Sequence, residues 1–90
     1  MKKRIRYIFT GYVQGVGFRF RAYHAANLMN ITGWVRNEYD GSVTIEAQGE
    51  KHDIDAMLQL IKKGRYIGID NIESQELPVD SDENSFSIRD

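Results

Sequence analysis

The chain has 90 residues, of which 41% are apolar and 28% charged, with no cysteine and a formal net charge of −1. A chain of that length forms one compact domain, expected over residues 1–90, and buries somewhat more than ~60% of its unfolded surface. The lack of cysteine excludes disulfides, thiolate metal sites and cysteine nucleophiles, and no apolar run is long enough to span a membrane.

The charge is unevenly laid out. Residues 1–37 carry seven Lys/Arg and no Asp or Glu, whereas residues 38–90 carry five and thirteen. Met1-Lys2-Lys3-Arg4 has the basic start of a secretory leader, but Arg6 and strand-like alternation stand where its apolar region would be, so the cytoplasm is the expected compartment. Residues 4–13 read as a strand: Ile5, Tyr7, Phe9, Gly11 and Val13 share one face, while Arg4, Arg6, Thr10 and Tyr12 share the other, with Ile8 as an exception. A helix follows over 20–30, with Ala22, Ala25, Ala26 and Met29 on one side; their small size predicts close packing on a sheet. Asn30 falls at the helix end, where a left-handed residue is wanted and Asn is tolerated.

Gly33 opens a second β-type run, Trp34-Val35-Arg36-Asn37, and the turn Tyr39-Asp40-Gly41-Ser42 leads into a third. There Val43, Ile45 and Ala47 alternate with Thr44, Glu46 and Gln48, which predicts a half-buried strand ended by Gly49. Ile54, Met57, Leu58 and Ile61 mark one face of a helix over 51–63, with Asp53 early, Lys62 and Lys63 late, and Gly64 in the C-cap position. Irregular alternation over 67–77 predicts a bulged strand, residues 78–84 a polar loop, and Phe86 with Ile88 a short last strand. The order β-α-β-β-α-β, with a short extra C-terminal strand, predicts the α+β class and a ferredoxin-like βαββαβ sandwich with both helices on one face of a mostly antiparallel sheet.

The chemistry-bearing stretch is Gly11-Tyr12-Val13-Gln14-Gly15-Val16-Gly17-Phe18-Arg19, between the first strand and the first helix. Gly15 and Gly17 allow a tight turn with φ > 0. The loop's N–H groups, together with the helix start, form an anion site. Arg19 adds a cation whose planar fork matches a phosphoryl group. The plainer alternative is a tight turn with a surface arginine. A right-handed crossover returns the second strand parallel to the first, so Asn37 falls at the same sheet edge as this loop and converges with Gly15, Gly17 and Arg19.

Gly11-x-Val13-Gln14-Gly15-Val16-Gly17-Phe18-Arg19, then Ala26, Gly33-Trp34-Val35-Arg36-Asn37, Asp40-Gly41-Ser42-Val43, Gln48-Gly49 and the closing Phe86-Ser87-Ile88-Arg89 closely resemble acylphosphatases over nearly the whole chain. The resemblance implies the ferredoxin-like fold and metal-independent hydrolysis of acyl phosphates to a carboxylate and inorganic phosphate, without a cofactor. It further implies that Arg19 and the loop Gln14, Gly15, Val16, Gly17 and Phe18 bind the phosphoryl group, and that Asn37 orients the attacking water. Asn30 stands where the family usually has glycine, and Gly64-Arg65-Tyr66-Ile67 is less proline-rich than is common there.

The residue types fit that chemistry. Neither Arg nor Asn is an acid or base near neutral pH, so the substrate must supply its own good leaving group. An acyl phosphate does, because its carboxylate leaves with a conjugate-acid pKa near ~4. Phosphoryl transfer then depends on positioning and charge stabilisation, and the water's proton passes to a phosphoryl oxygen. His24 lies five residues beyond Arg19, about 140° around the helix, and is expected to point away from the site. His52 is expected to contact Asp53 or Asp55; two dispersed histidines argue against a metal site. Trp34 and Tyr39 read as packing and turn residues, and Arg36 as solvated. Gly15-x-Gly17-x-x-Phe20 lacks the third glycine of a dinucleotide loop. Two other functions compete: a noncatalytic anion-binding domain, and an RNA-binding module suggested by the basic first half. The second lacks an aromatic pattern on a central strand, since Val43-Thr44-Ile45-Glu46 offers none. No nucleic-acid or membrane partner is therefore expected, and the chain is read as a monomer.

Overall fold

The computed structural model describes all residues, Met1–Asp90. Five strands and two helices follow in the order β1 (Lys2–Tyr12), α1 (Phe18–Leu28), β2 (Thr32–Asn37), β3 (Val43–Glu50), α2 (Lys51–Lys62), β4 (Gly68–Leu77) and β5 (Phe86–Arg89). They form a single mixed sheet in the order β4-β1-β3-β2-β5. β3 runs antiparallel to both β1 and β2, and β5 pairs parallel with β2. β1 and β2 are therefore parallel to one another, and their carboxyl ends share one edge of the sheet. This is the expected ferredoxin-like sandwich with its extra C-terminal strand.

The inner face of the sheet builds the core. Ile5, Tyr7, Phe9, Val35, Val43, Ile45 and Ala47 meet Phe18, Ala22, Ala25 and Ala26 of α1 and Ile54, Met57 and Ile61 of α2. The alanines let α1 lie close to the sheet, as their spacing predicts. α1 begins two residues earlier than the pattern suggests, because Phe18 turns inward and meets Phe9 edge to face at 5.0 Å. At its other end Asn30 is left-handed with φ 57°. The Ile31 N–H reaches the Ala26 carbonyl at 2.8 Å and the Asn30 N–H reaches that of Asn27 at 3.4 Å, a Schellman closure.

Three expectations need correction. β3 is buried on both faces, not one: Thr44, Glu46 and Gln48 of its outer face are as enclosed as its core side. Residues 78–84 fold back over the Gln48 end of that face, and Arg4 and Arg6 flank Glu46. The Asp80 N–H donates to Gln48 Oε1, and Gln48 Nε2 donates to the Asp80 carbonyl. Arg4, expected to face solvent, is buried beneath the same segment between Glu46 and Glu83. Gly64 does not close α2 in a left-handed turn; Lys63 caps the helix in a right-handed conformation. A Cβ at Gly64 would lie 2.5 Å from Ile67 Cδ1 and 2.9 Å from Arg21 Cδ, so that position requires space. The expected bulge is present: the β1–β4 register shifts between Thr10 and Gly11, leaving Asp70 of β4 without a partner.

Candidate active site

The turn from β1 into α1 is shaped by Gly15 and Gly17, with φ of 73° and 80°. A side chain at either position would be strained by the backbone alone. Gly17 is the N-cap of α1, and no side chain caps it. Its carbonyl accepts the Arg21 N–H at 3.0 Å, the first hydrogen bond of the helix. The N–H groups of Phe18, Arg19 and Phe20 precede that bond and have no intrahelical acceptor. The first turn also carries no acidic residue. These donors and the positive end of the helix dipole are thus left for an outside anion.

Phe18 fixes this cradle to the core, being only 2% exposed. Its burial sets the rotation of the first turn, so the neighbouring Arg19 projects outward. The guanidinium of Arg19 is unusually free. Among the arginines of residues 1–37, Arg4 and Arg6 are held by Glu46, Arg21 by the Leu60 carbonyl and Arg36 by Glu38. Arg19 makes no hydrogen bond within the chain; its nearest acid is the fully exposed Asp90, at 3.9 Å. Lys3, Arg4, Arg6 and Arg36 of the basic first half are thus paired with acids from the second half, whereas Arg19 stands at the glycine loop with no partner closer than Asp90.

Asn37 ends β2 at the same sheet edge, as the parallel β1/β2 arrangement requires. Together with Gly15, Gly17, Phe18 and Arg19 it lines a cleft of about 230 Å³, which Val13 and Phe20 complete. Its Oδ1 is the one buried side-chain polar atom that has no hydrogen-bond partner. An unpaired buried acceptor costs about 1–3 kcal/mol, so it is rarely retained without use. Two larger hollows, of about 480 and 510 Å³, lie on the outer sheet face and beside β4. Neither contains the glycine loop or an unpaired buried polar atom.

Gln14 and Val16 do not line the cleft. The Gln14 side chain has a task that sequence pattern did not disclose. Its Nε2 donates to the Glu38 carbonyl at 2.8 Å and to the Ser42 carbonyl at 2.9 Å, tying the glycine loop to the turn that follows Asn37. Asp40 braces that turn by accepting from the Ser42 N–H and Oγ. Hydrogen bonds from Ser42 hold the Asp40 carboxyl below its usual range. The Glu38 carboxyl is likewise lowered, first by hydrogen bonding to Thr44, which together with Arg36 outweighs the opposing effect of burial.

The other candidates fall away from the cleft. His24 lines a separate hollow with Arg21, Leu28 and Leu60. His52 contacts Asp53 at 3.3 Å. Trp34 is buried on the outer face with the guanidiniums of Arg36 and Arg89 over its ring at 5.0 and 4.7 Å. Arg36 is thus stacked and paired, not simply solvated. Tyr39 is fully exposed. No group of three His, Asp or Glu side chains is arranged to hold a metal ion, and no helix is long and apolar enough to cross a membrane.

Comparison with known proteins gives a consistent result. The acylphosphatase family model matches residues 5–88. An acylphosphatase of Oceanobacillus iheyensis is 43% identical over 89 residues, covering 97% of this chain and 98% of that one. One from Caldanaerobacter subterraneus subsp. tengcongensis is 39% identical, covering 98% and 99%. The crystal structure of acylphosphatase from Bacillus subtilis superposes with a TM-score of 0.89 at 32% identity, covering 99% of each chain.

Proposed function

The chain belongs to the acylphosphatase family, the enzymes that hydrolyse acyl phosphates, and from that premise we propose how its own residues divide the work. The N–H groups of the 14–19 loop and first helical turn, with the Arg19 guanidinium, hold the phosphoryl oxygens. Asn37 Oδ1 accepts a hydrogen bond from the attacking water and aims its lone pair at phosphorus. The water oxygen bonds to phosphorus as the bond from phosphorus to the acyl oxygen breaks. The carboxylate leaves unprotonated, and the water's proton passes to a phosphoryl oxygen, giving inorganic phosphate. Arg19 and the loop dipoles stabilise charge on the phosphoryl oxygens throughout. This scheme uses no metal or cofactor, and we place it in the cytoplasm with the chain acting as a monomer.

The observation that carries the assignment is the unpaired, buried Asn37 Oδ1 in the same cleft as the free Arg19. The test is Asn37→Ala, assayed by phosphate release from acetyl and benzoyl phosphate in the presence of EDTA. Loss of one positioning hydrogen bond in such a site is worth roughly 3 kcal/mol, or about a hundredfold in kcat. Affinity for inorganic phosphate as a competitive inhibitor should change little, because the loop and Arg19 remain. A normal kcat on the folded fraction, accompanied only by lower thermal stability, would make Asn37 a turn residue. Loss of wild-type turnover in EDTA, restored by Mg²⁺ or Zn²⁺, would defeat the metal-free scheme.

A further inference from the structure

We propose that Phe20 is the acyl-group contact of this cleft and directs the enzyme toward acyl phosphates with an aromatic acyl group. The inference rests on the reading of the cleft as the acyl phosphate site. Three apolar side chains line that cleft: Val13, Phe18 and Phe20. Val13 and Phe18 are 1% and 2% exposed, consumed by the core, and offer a ligand almost no surface. Phe20 is 68% exposed and is not a member of the core cluster. The other strongly exposed aromatics, Tyr12, Tyr39 and Tyr66, do not line the cleft. Nothing in the fold accounts for a phenyl ring left in water one residue beyond Arg19.

The chemistry of the reaction gives that ring a position to fill. In-line displacement sends the leaving carboxylate away from the water that Asn37 holds, so the acyl group emerges toward the mouth of the cleft. No polar side chain there is required by the acyl substituent, whose only polar atoms are the carboxyl oxygens. An exposed ring at that mouth gains by covering an apolar acyl group, and gains most from another ring through offset or edge-to-face packing. Acetyl phosphate, with a single methyl, is too small to take up that contact fully.

The experiment compares kcat/KM for benzoyl and acetyl phosphate in the wild type, Phe20→Ala and Phe20→Tyr. Exposure of the ring and the high helix propensity of alanine favour a folded variant, and the backbone N–H is kept. In Phe20→Ala the benzoyl-to-acetyl ratio of kcat/KM should fall about tenfold (about 1.4 kcal/mol), mainly through KM for benzoyl phosphate. Phe20→Tyr, which keeps the ring, should restore the ratio to within about twofold. A ratio unchanged in Phe20→Ala, or equally lowered in Phe20→Tyr, overturns the inference while leaving the acyl phosphate reading intact. A wild-type chain that turns over neither substrate overturns both.

Discussion

Glu83→Ala tests whether residues 78–84 are held down by a buried ion pair. Glu83 accepts from Arg4 Nη1 at 2.7 Å and from Nη2 at 3.1 Å, a two-pronged contact between side chains that are 7% and 13% exposed. This pairing is the foremost cause of the raised Arg4 pKa. Stranding a buried charge typically costs about 3–5 kcal/mol. Arg4 is not stranded, since Glu46 still faces it at 2.9 Å and Gln48 Oε1 at 3.3 Å. The Gln48–Asp80 hydrogen bonds also still anchor the segment. The expected loss is therefore lower, about 2 kcal/mol, close to one charge-assisted hydrogen bond. For a domain of this size that lowers Tm by roughly 8–16 °C. Thermal unfolding followed by far-UV circular dichroism measures it, with Glu76→Ala as comparison. Glu76 meets Lys3 at 3.5 Å in an exposed pair that should matter by less than about 0.5 kcal/mol. Because Arg4 and Glu83 lie on the outer sheet face, kcat of the folded variant should equal that of the wild type. A Tm shift no larger than that of Glu76→Ala would refute the reasoning.

The remaining predictions concern the site and acid stability. Arg19→Lys keeps the charge but loses the fork, so phosphate should inhibit it more weakly and most turnover should vanish; near wild-type turnover would make Arg19 a bystander. Gln14→Ala removes both ties to the Glu38 and Ser42 carbonyls. It should lower stability by about 1–2 kcal/mol and weaken phosphate inhibition several-fold; stability loss with intact phosphate affinity would limit the clamp to a structural part. Burial raises the Glu46 carboxyl, but hydrogen bonds from Arg6 and Arg4 and their charges outweigh it and hold it below its ordinary 4.5. Its contribution is therefore fully present above pH 4.5 and is lost as pH falls through the lower folded value. Glu46→Gln should flatten the acid limb of the stability profile measured by urea unfolding, and an unchanged limb would show that Glu46 is not among the groups driving acid unfolding.

Much of the inner face was legible because its signals are local. The spacing of Ile54, Met57 and Ile61 marks the buried stripe of α2, and the three alanines mark that of α1. The glycine loop is equally readable: φ > 0 at Gly15 and Gly17 is a property of the residue type. The position of Asn37 followed from topology alone, because a right-handed crossover fixes which edge the end of β2 occupies.

The outer face was not legible in the same way. Arg4, Glu46 and Gln48 alternate as solvent-facing residues should, yet all three are buried. Gln48 and Arg4 are covered by Asp80 and Glu83, more than thirty residues beyond Gln48 in a stretch with no periodicity of its own, and Glu46 is held between Arg4 and Arg6. The task of Gln14 was hidden for a related reason, since an amide reaching backbone carbonyls 24 and 28 residues away leaves no mark on its neighbours in sequence. The sequence alone thus determined the strands, the helices and the glycine loop between β1 and α1, where backbone preference and periodicity act over a few residues. Only the tertiary structure decided which arginines of the first half are held by other groups and that Arg19 makes no hydrogen bond, because electrostatic pairing depends on distance in space and not along the chain.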